Sequence, residues 1–277
     1  MLEQTRRGLA VAGASAKVLA QHPKLLALPI LGLTASLVAV SFFGVGMSLG
    51  EAAHSNGIFF ALGYIGVVAA LGSIGAFFNA ALVLCVLDGF AGREVSLRRG
   101  LAGAVSRLPQ LFAWVLFSTV VGFALSTVQG LLRKLGFLGA IFGSALSMSW
   151  SVITFFVIPV LVAEDVGPIA AFERSKDLVK RNWGKAVGVE TGFVLLFLLA
   201  LVPIFFLIWF VNADSSAAHM PKLVLGGGAA LVYFLALLAV LSTLSGVFRA
   251  SLYVYATTGK VPLAVEPDLL EKAFRKG

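Results

Sequence analysis

Four polar side chains interrupt otherwise apolar stretches of the chain: Asn79, Asp88, Glu190 and Arg249. Such groups are costly in hydrocarbon and tend to be paired or functional. Asp88, Glu190 and Arg249 fall at similar distances from the basic flank of their apolar runs. An ion pair of Arg249 with Glu190, or with Asp88, would neutralise charges that hydrocarbon cannot solvate. Such a pair either fixes helix packing or forms a permeation or coupling site. Snorkelling of each side chain to the headgroups is a third reading.

Smaller polar residues form three stripes at helical spacing. One holds Ser144, Ser147, Ser151 and Thr154, a second Thr119, Gly122, Ser126 and Gln129, and a third Ser242, Ser245 and Arg249. Spacings of three and four keep each set on one helix face. A stripe can line an aqueous path, or let helices approach closely and hydrogen-bond across the contact. Gly46-x-x-x-Gly50, Gly139-x-x-x-Gly143 and Gly226-Gly227-Gly228 fit close approach. Pro29, Pro159 and Pro203 are expected to kink their helices.

The search for catalytic constellations is negative. The three histidines, His22, His54 and His219, are scattered, and Cys85 is the sole cysteine. No HExxH, no Cys/His cluster with metal spacing, no GxSxG elbow and no P-loop occurs. The expectation is a protein that is not an enzyme and carries no cofactor. Cys85 reads as a small packing residue.

The elements that would hold these residues are membrane spans. The chain has 277 residues, 59% hydrophobic and 12% charged, against about 25% charged in soluble domains. A span takes about 20 apolar residues. Six runs qualify, at about 25–49, 58–88, 110–130, 137–163, 187–211 and 223–256. The N-terminus lacks a compact apolar core and cleavage site, so the first run is expected to act as a retained signal-anchor.

The charges orient the spans. Of 21 Lys and Arg, all but Arg133, Lys134 and Lys222 lie at the N-terminus, in residues 89–109 and 164–186, or from Arg249 onward. Retained loops keep Lys and Arg cytoplasmic. The expectation is a multi-pass protein of the inner (cytoplasmic) membrane with both termini cytoplasmic. The net charge of +8 is then explained by topology and anionic headgroups rather than nucleic acid.

Within the basic segments, PIAAFERSKDLVKRNW places Phe172, Ser175, Leu178, Val179 and Trp183 at helical spacing. It reads as an amphipathic helix at the headgroups. Trp183, Arg174, Lys180 and Arg181 would be its anchors. SLRRGLAGAVSRLPQ, RRGLAVAGASAKVLA and PDLLEKAFRK are similar, less sharply. An ordinary solvated helix is the alternative.

Three span ends recur: Phe78 to Gly89, Phe156 to Gly167 and Phe248 to Gly259. Each Gly is placed to cap a helix in the left-handed conformation. The single membrane domain, 1–277, thus reads as three units of basic helix, span and span, at 1–89, 90–167 and 168–259, with a tail at 260–277. All three keep one orientation, unlike inverted transporter repeats.

Phe-Phe-x-x-Pro-x-Leu-x-x-Glu at 155–164, then Gly167-Pro168, an Ala-x-x-x-Ser run at 171–175 and Trp183-Gly184, resembles an uncharacterised six-span family of prokaryotic membrane proteins. The motif is also distantly similar to the membrane domain beside some glycerophosphodiester phosphodiesterases. The resemblance covers roughly residues 20–260 and brings no catalytic residues. The sequence thus points to an all-α six-span protein acting as a channel or transporter for a small solute or ion, alone or as a homo-oligomer. Its rival is a non-transporting scaffold or lipid-interacting protein.

Overall fold

A computed structural model describes residues 17–51, 57–181, 198, 200–203, 205 and 219–259. Among them the chain is helical and has no strand. A 3-10 turn at Pro23–Leu26 leads into α1 (Ala27–Glu51), followed by α2 (Gly57–Phe90), the short α3 (Leu97–Val105), α4 (Leu108–Arg133), α5 (Gly136–Ile153) and α6 (Val157–Glu164). Next come α7 (residues 168–181) and α8 (His219–Thr258).

Five stretches are long and apolar enough to cross a membrane: Pro23–Gly46, Gly63–Phe90, Leu108–Arg133, Gly136–Glu164 and Leu225–Thr258. Phe137 at 80% exposure and Phe42 at 76% show how apolar the outside of this bundle is. Such a surface suits lipid and not water. The chain is a multi-pass membrane protein. The expected span at 187–211 lies outside the described residues except for 198, 200–203 and 205; there, Tyr233 of α8 donates its hydroxyl to the Ala200 carbonyl at 3.1 Å.

Helix α2 is the hub, touching α1, α3, α4, α6 and α8. Its lower half, Ala80 to Val83 with Cys85 and Val86, is buried all round. A helix apolar on every side must be enclosed, and α2 finds its enclosure in this ring. The core continues through Phe155 to Val162 and Val247 to Tyr253. The core therefore sits at one end of the bundle, where α3 and α7 pack and where Arg107 meets Asp165 at 3.3 Å. Arg133 and Lys134 form the α4–α5 turn at the opposite end.

Glycines set the closest crossings. A Cβ on Gly246 of α8 would stand 2.5 Å from Leu82, one on Gly72 of α2 would stand 2.9 Å from Val115 of α4, and one on Gly139 of α5 would fall on the Leu132 carbonyl oxygen. Gln129 donates to Ser147 across the same α4–α5 hairpin.

Three local expectations are corrected. Pro29 does not kink α1; it sits in the first turn, where the missing N–H is an unpaired end group in any case. Gly89 continues α2, and the left-handed residue is Gly92 at φ 72°. Likewise Asp165, at φ 53°, caps α6 in place of Gly167, and only Gly259 behaves as expected, at φ 69°. Pro159 does break its span. The ring has no N–H and collides with a carbonyl four residues back, so the helix is interrupted at 154–156, between α5 and α6.

The break is filled by α7. Phe155 N–H turns to Val152 O at 3.2 Å and Val157 N–H to Thr154 O at 3.1 Å. That leaves the Ile153 carbonyl and the Phe156 N–H without their usual helical partners. The Ser175 hydroxyl donates to Ile153 O at 2.5 Å and accepts from Phe156 N–H at 3.1 Å. With Ser175, Ala171, Leu178 and Val179 are fully buried. The face of α7 that the sequence assigned to headgroups is therefore turned into the protein. Phe172 joins Trp114, Phe117 and Trp150 in an aromatic cluster, 5.7 Å from Trp150 and 6.1 Å from Phe117.

Candidate functional site

Of the two ion pairs expected for Arg249, the described residues bear only on the one with Asp88. Asp88 accepts from Arg93, five residues on, at 2.8 Å from Nε. Arg249 does not pair with Asp88; its guanidinium lies 5.1 Å above the Phe155 ring, within reach of a cation–π attraction. A local partner one turn away in the sequence outcompetes a distant helix of unknown azimuth. Glu190 and Trp183 lie outside the described residues.

A second polar node, which the sequence reading missed, joins the three elements at the basic end. Glu164 of α6 accepts from Arg174 of α7 at 3.2 Å and from the Tyr253 hydroxyl of α8 at 3.1 Å. Arg174 thus acts as a protein contact, while Lys180 and Arg181 are exposed. The motif at 155–175 is explained by these contacts: Phe155 under Arg249, Pro159 at the break, Glu164 in the node and Ser175 in the gap.

The stripes separate. In α5, Ser144 is exposed and bonds its own backbone at Ala140, 2.9 Å away. Ser151 is exposed, Ser147 is held by Gln129, and Thr154 caps the broken helix through Trp150 O at 2.8 Å. This stripe packs or faces outward. In α4, Thr119, Gly122 and Ser126 line a cavity of about 580 Å³ along the seam with α2. Trp114, Ser118 and Asn79 are also on its wall. Ser242 of α8 lines a second cavity of about 260 Å³, between α1, α2 and α8. Ser245 is half-buried and lines neither.

Asn79 and Gly75 belong to both cavities. At a rise of 1.5 Å per residue, Asn79 lies about 16 Å from the α2 end at Phe90, near the middle of a span. Ser118 and Thr119 of α4 and Ser242 of α8 are close to the midpoints of their own spans. Asn79 and Ser242 therefore share a level near mid-depth, while Val115 of α4 stands beside Gly72 and puts Ser118 and Thr119 further along the seam. The Asn79 side-chain oxygen is shielded and accepts no hydrogen bond among the described residues. An orphaned carbonyl of this kind is rare and expensive, at about 1–3 kcal/mol.

That expense makes a direct prediction. Asn79→Leu fills similar space without the orphan, so the variant should be more stable than the parent by about 1 kcal/mol. Thermal unfolding in detergent, followed by circular dichroism, reads it. A lower midpoint would mean that the amide is a structural bond and not a reserved acceptor. Natural binding groups carry this sort of stability cost.

Among the described residues, no three His, Cys, Asp or Glu side chains converge as metal ligands would. No curated protein and no solved structure matches the chain, so the likeness to the membrane domain of glycerophosphodiester phosphodiesterases gains no support. A family profile does match, over residues 58–263, from α2 through α8. It therefore takes in Asn79, the α4 stripe, the Pro159 break and Ser175, and leaves out α1. The chain belongs to the family of unknown function DUF6159.

Proposed function

We propose that this protein is a non-enzymatic carrier for a small solute, with its site at Asn79. One observation carries the reading: two cavities on different sides of α2 share Gly75 and Asn79 at mid-depth. Transporters hold substrate near the bilayer midplane. A wall between two cavities suits alternating access better than an open channel does. The Pro159 break, held by a side chain of another helix, supplies a point where the arrangement can change.

In this reading the basic end faces the cytoplasm and the bilayer is a prokaryotic inner membrane, with a sixth span at 187–211 and the three units of helix, span and span at 1–89, 90–167 and 168–259. Copies associate through small faces such as Gly44 and Gly46 of α1, which have no neighbour within 4 Å and allow close helix approach.

The test is solute flux into proteoliposomes, read by stopped-flow light scattering over a panel of polyols, amides and amino acids. The expected result is faster flux than in empty vesicles for at least one solute, slowed at least tenfold by Gly75→Leu. Gly75 has open space around its Cβ position, so the new side chain enters the cavities without displacing a helix. Equal flux in filled and empty vesicles would end the carrier reading. It would leave the scaffold reading, favoured by the exposed Arg98, Arg99, Lys180 and Arg181 on docked helices, which suit anionic headgroups.

A further inference from the structure

The larger cavity has features that select a class of ligand. Its lining contains no Asp, Glu, Lys, Arg or His, so nothing there neutralises an ion or an ionised headgroup in a low-dielectric setting. Two of its lining residues lie on the outside of the bundle, Tyr64 at 63% and Phe123 at 59% exposure. In a membrane those residues face acyl chains, so the opening is sideways into the bilayer. From Tyr64 to Asn79 the seam runs about 22 Å along α2, at 1.5 Å per residue, long enough for an extended chain.

The polar groups in this seam offer acceptors. The Ser118 hydroxyl has given its proton to Val115 O at 3.1 Å, and the Ser126 hydroxyl has given its own to Phe123 O at 2.8 Å. Each oxygen keeps lone pairs. Asn79 adds a shielded carbonyl oxygen with no donor among the described residues. A ligand that donates a hydrogen bond relieves the orphan; one that only accepts does not.

We propose that the α2–α4 seam binds an uncharged, membrane-dissolved amphiphile, with its alkyl body along Val68, Gly72 and Val115 and a donor head, a hydroxyl or an amide N–H, on the Asn79 oxygen. This deepens the carrier reading by naming its substrate class. The size suits such a ligand: pockets of about 300–1,000 Å³ enclose most of a small organic molecule.

The experiment uses two probes, 12-bromododecanol and its methyl ether, with the protein in nanodiscs. Bromine quenches tryptophan, and Trp114 lines the seam. Saturable quenching by the alcohol is expected at about one tenth of the ether concentration, the value of one hydrogen bond to a buried acceptor. Asn79→Leu should bring the alcohol to the level of the ether and leave the ether unchanged. Trp114→Phe should remove most of the saturable signal. Equal quenching by the two probes, or no effect of Asn79→Leu, would overturn the proposal and leave a groove that takes acyl chains of any kind. The two readings fail separately. Selective alcohol binding without flux in proteoliposomes ends the carrier and keeps the site, whereas flux of other solutes without selective binding does the reverse.

Discussion

Ser175→Ala should lower the stability of the protein by about 2–4 kcal/mol, because it removes two buried hydrogen bonds at once. The hydroxyl holds both ends of one broken helical rung, the Ile153 carbonyl and the Phe156 N–H. Ser175 has no solvent exposure, so water does not simply replace it. Each backbone group left unpaired in an apolar interior costs about 1–3 kcal/mol, and hydrocarbon provides no alternative partner. At this chain length the midpoint should fall on the order of 10 °C. Ser175→Thr keeps the hydroxyl and should recover part of the loss, separating the hydrogen bonds from the packing of the site. An alanine variant that melts with the parent would show that the break does not depend on α7.

The Ser175 contact also marks the boundary of what the sequence reveals. Span lengths are legible because a bilayer demands long apolar runs, and the five described spans fall where those runs lie. The apolar face of α7 is legible because residues at spacings of three and four must share a side. What that face meets is not legible. Amphipathicity is the same whether the partner is lipid or protein, and here it is the gap left by Pro159, seen only once α5, α6 and α7 are in place.

The stripes follow the same logic. Thr119, Gly122 and Ser126 look in sequence like Ser144, Ser147 and Ser151, since each set shares one helix face. The first reaches a cavity, whereas Ser144 and Ser151 of the second are exposed, because the azimuth of a helix is set by its neighbours. Depth could be counted along the chain, and Asn79 lies well inside its run as that count implies. It also suggested Asp88 with Arg249, where depth agrees and azimuth does not. The left-handed caps were misplaced by two or three residues, at Gly92 and Asp165, because a recurring Gly is one way to end a helix and Asp tolerates the same conformation.

Gly100→Ala should detach α3 from α2, and the chain carries its own reporter for that event. Ser96 caps α3 by accepting the Arg99 N–H at 3.5 Å, and Gly100 and Ala104 form its buried side. An added Cβ at Gly100 would press on the Cys85 sulfur and stand 2.7 Å from the Ala81 carbonyl oxygen. The sulfur belongs to a side chain that can move; the carbonyl belongs to the hub helix and cannot. Helix α3 must therefore lift, with an overpacking cost of about 1–3 kcal/mol. Cys85 is the sole cysteine of the chain and is fully buried, with its thiol directed to the Ser96 carbonyl at 3.4 Å. Reaction with N-ethylmaleimide should be slow in the parent and at least tenfold faster in Gly100→Ala. Gly100→Val, with two more methyl groups against the same carbonyl, should label faster still. In Cys85→Ala the Gly100→Ala change should be only partly relieved, since the backbone contact with Ala81 stays. Unchanged labelling together with an unchanged melting midpoint would mean that the α2–α3 contact absorbs the added methyl group without lifting α3. In that case the Ala81 carbonyl and the Cys85 side chain would yield by a few tenths of an ångström, and Gly100 would not be required for docking.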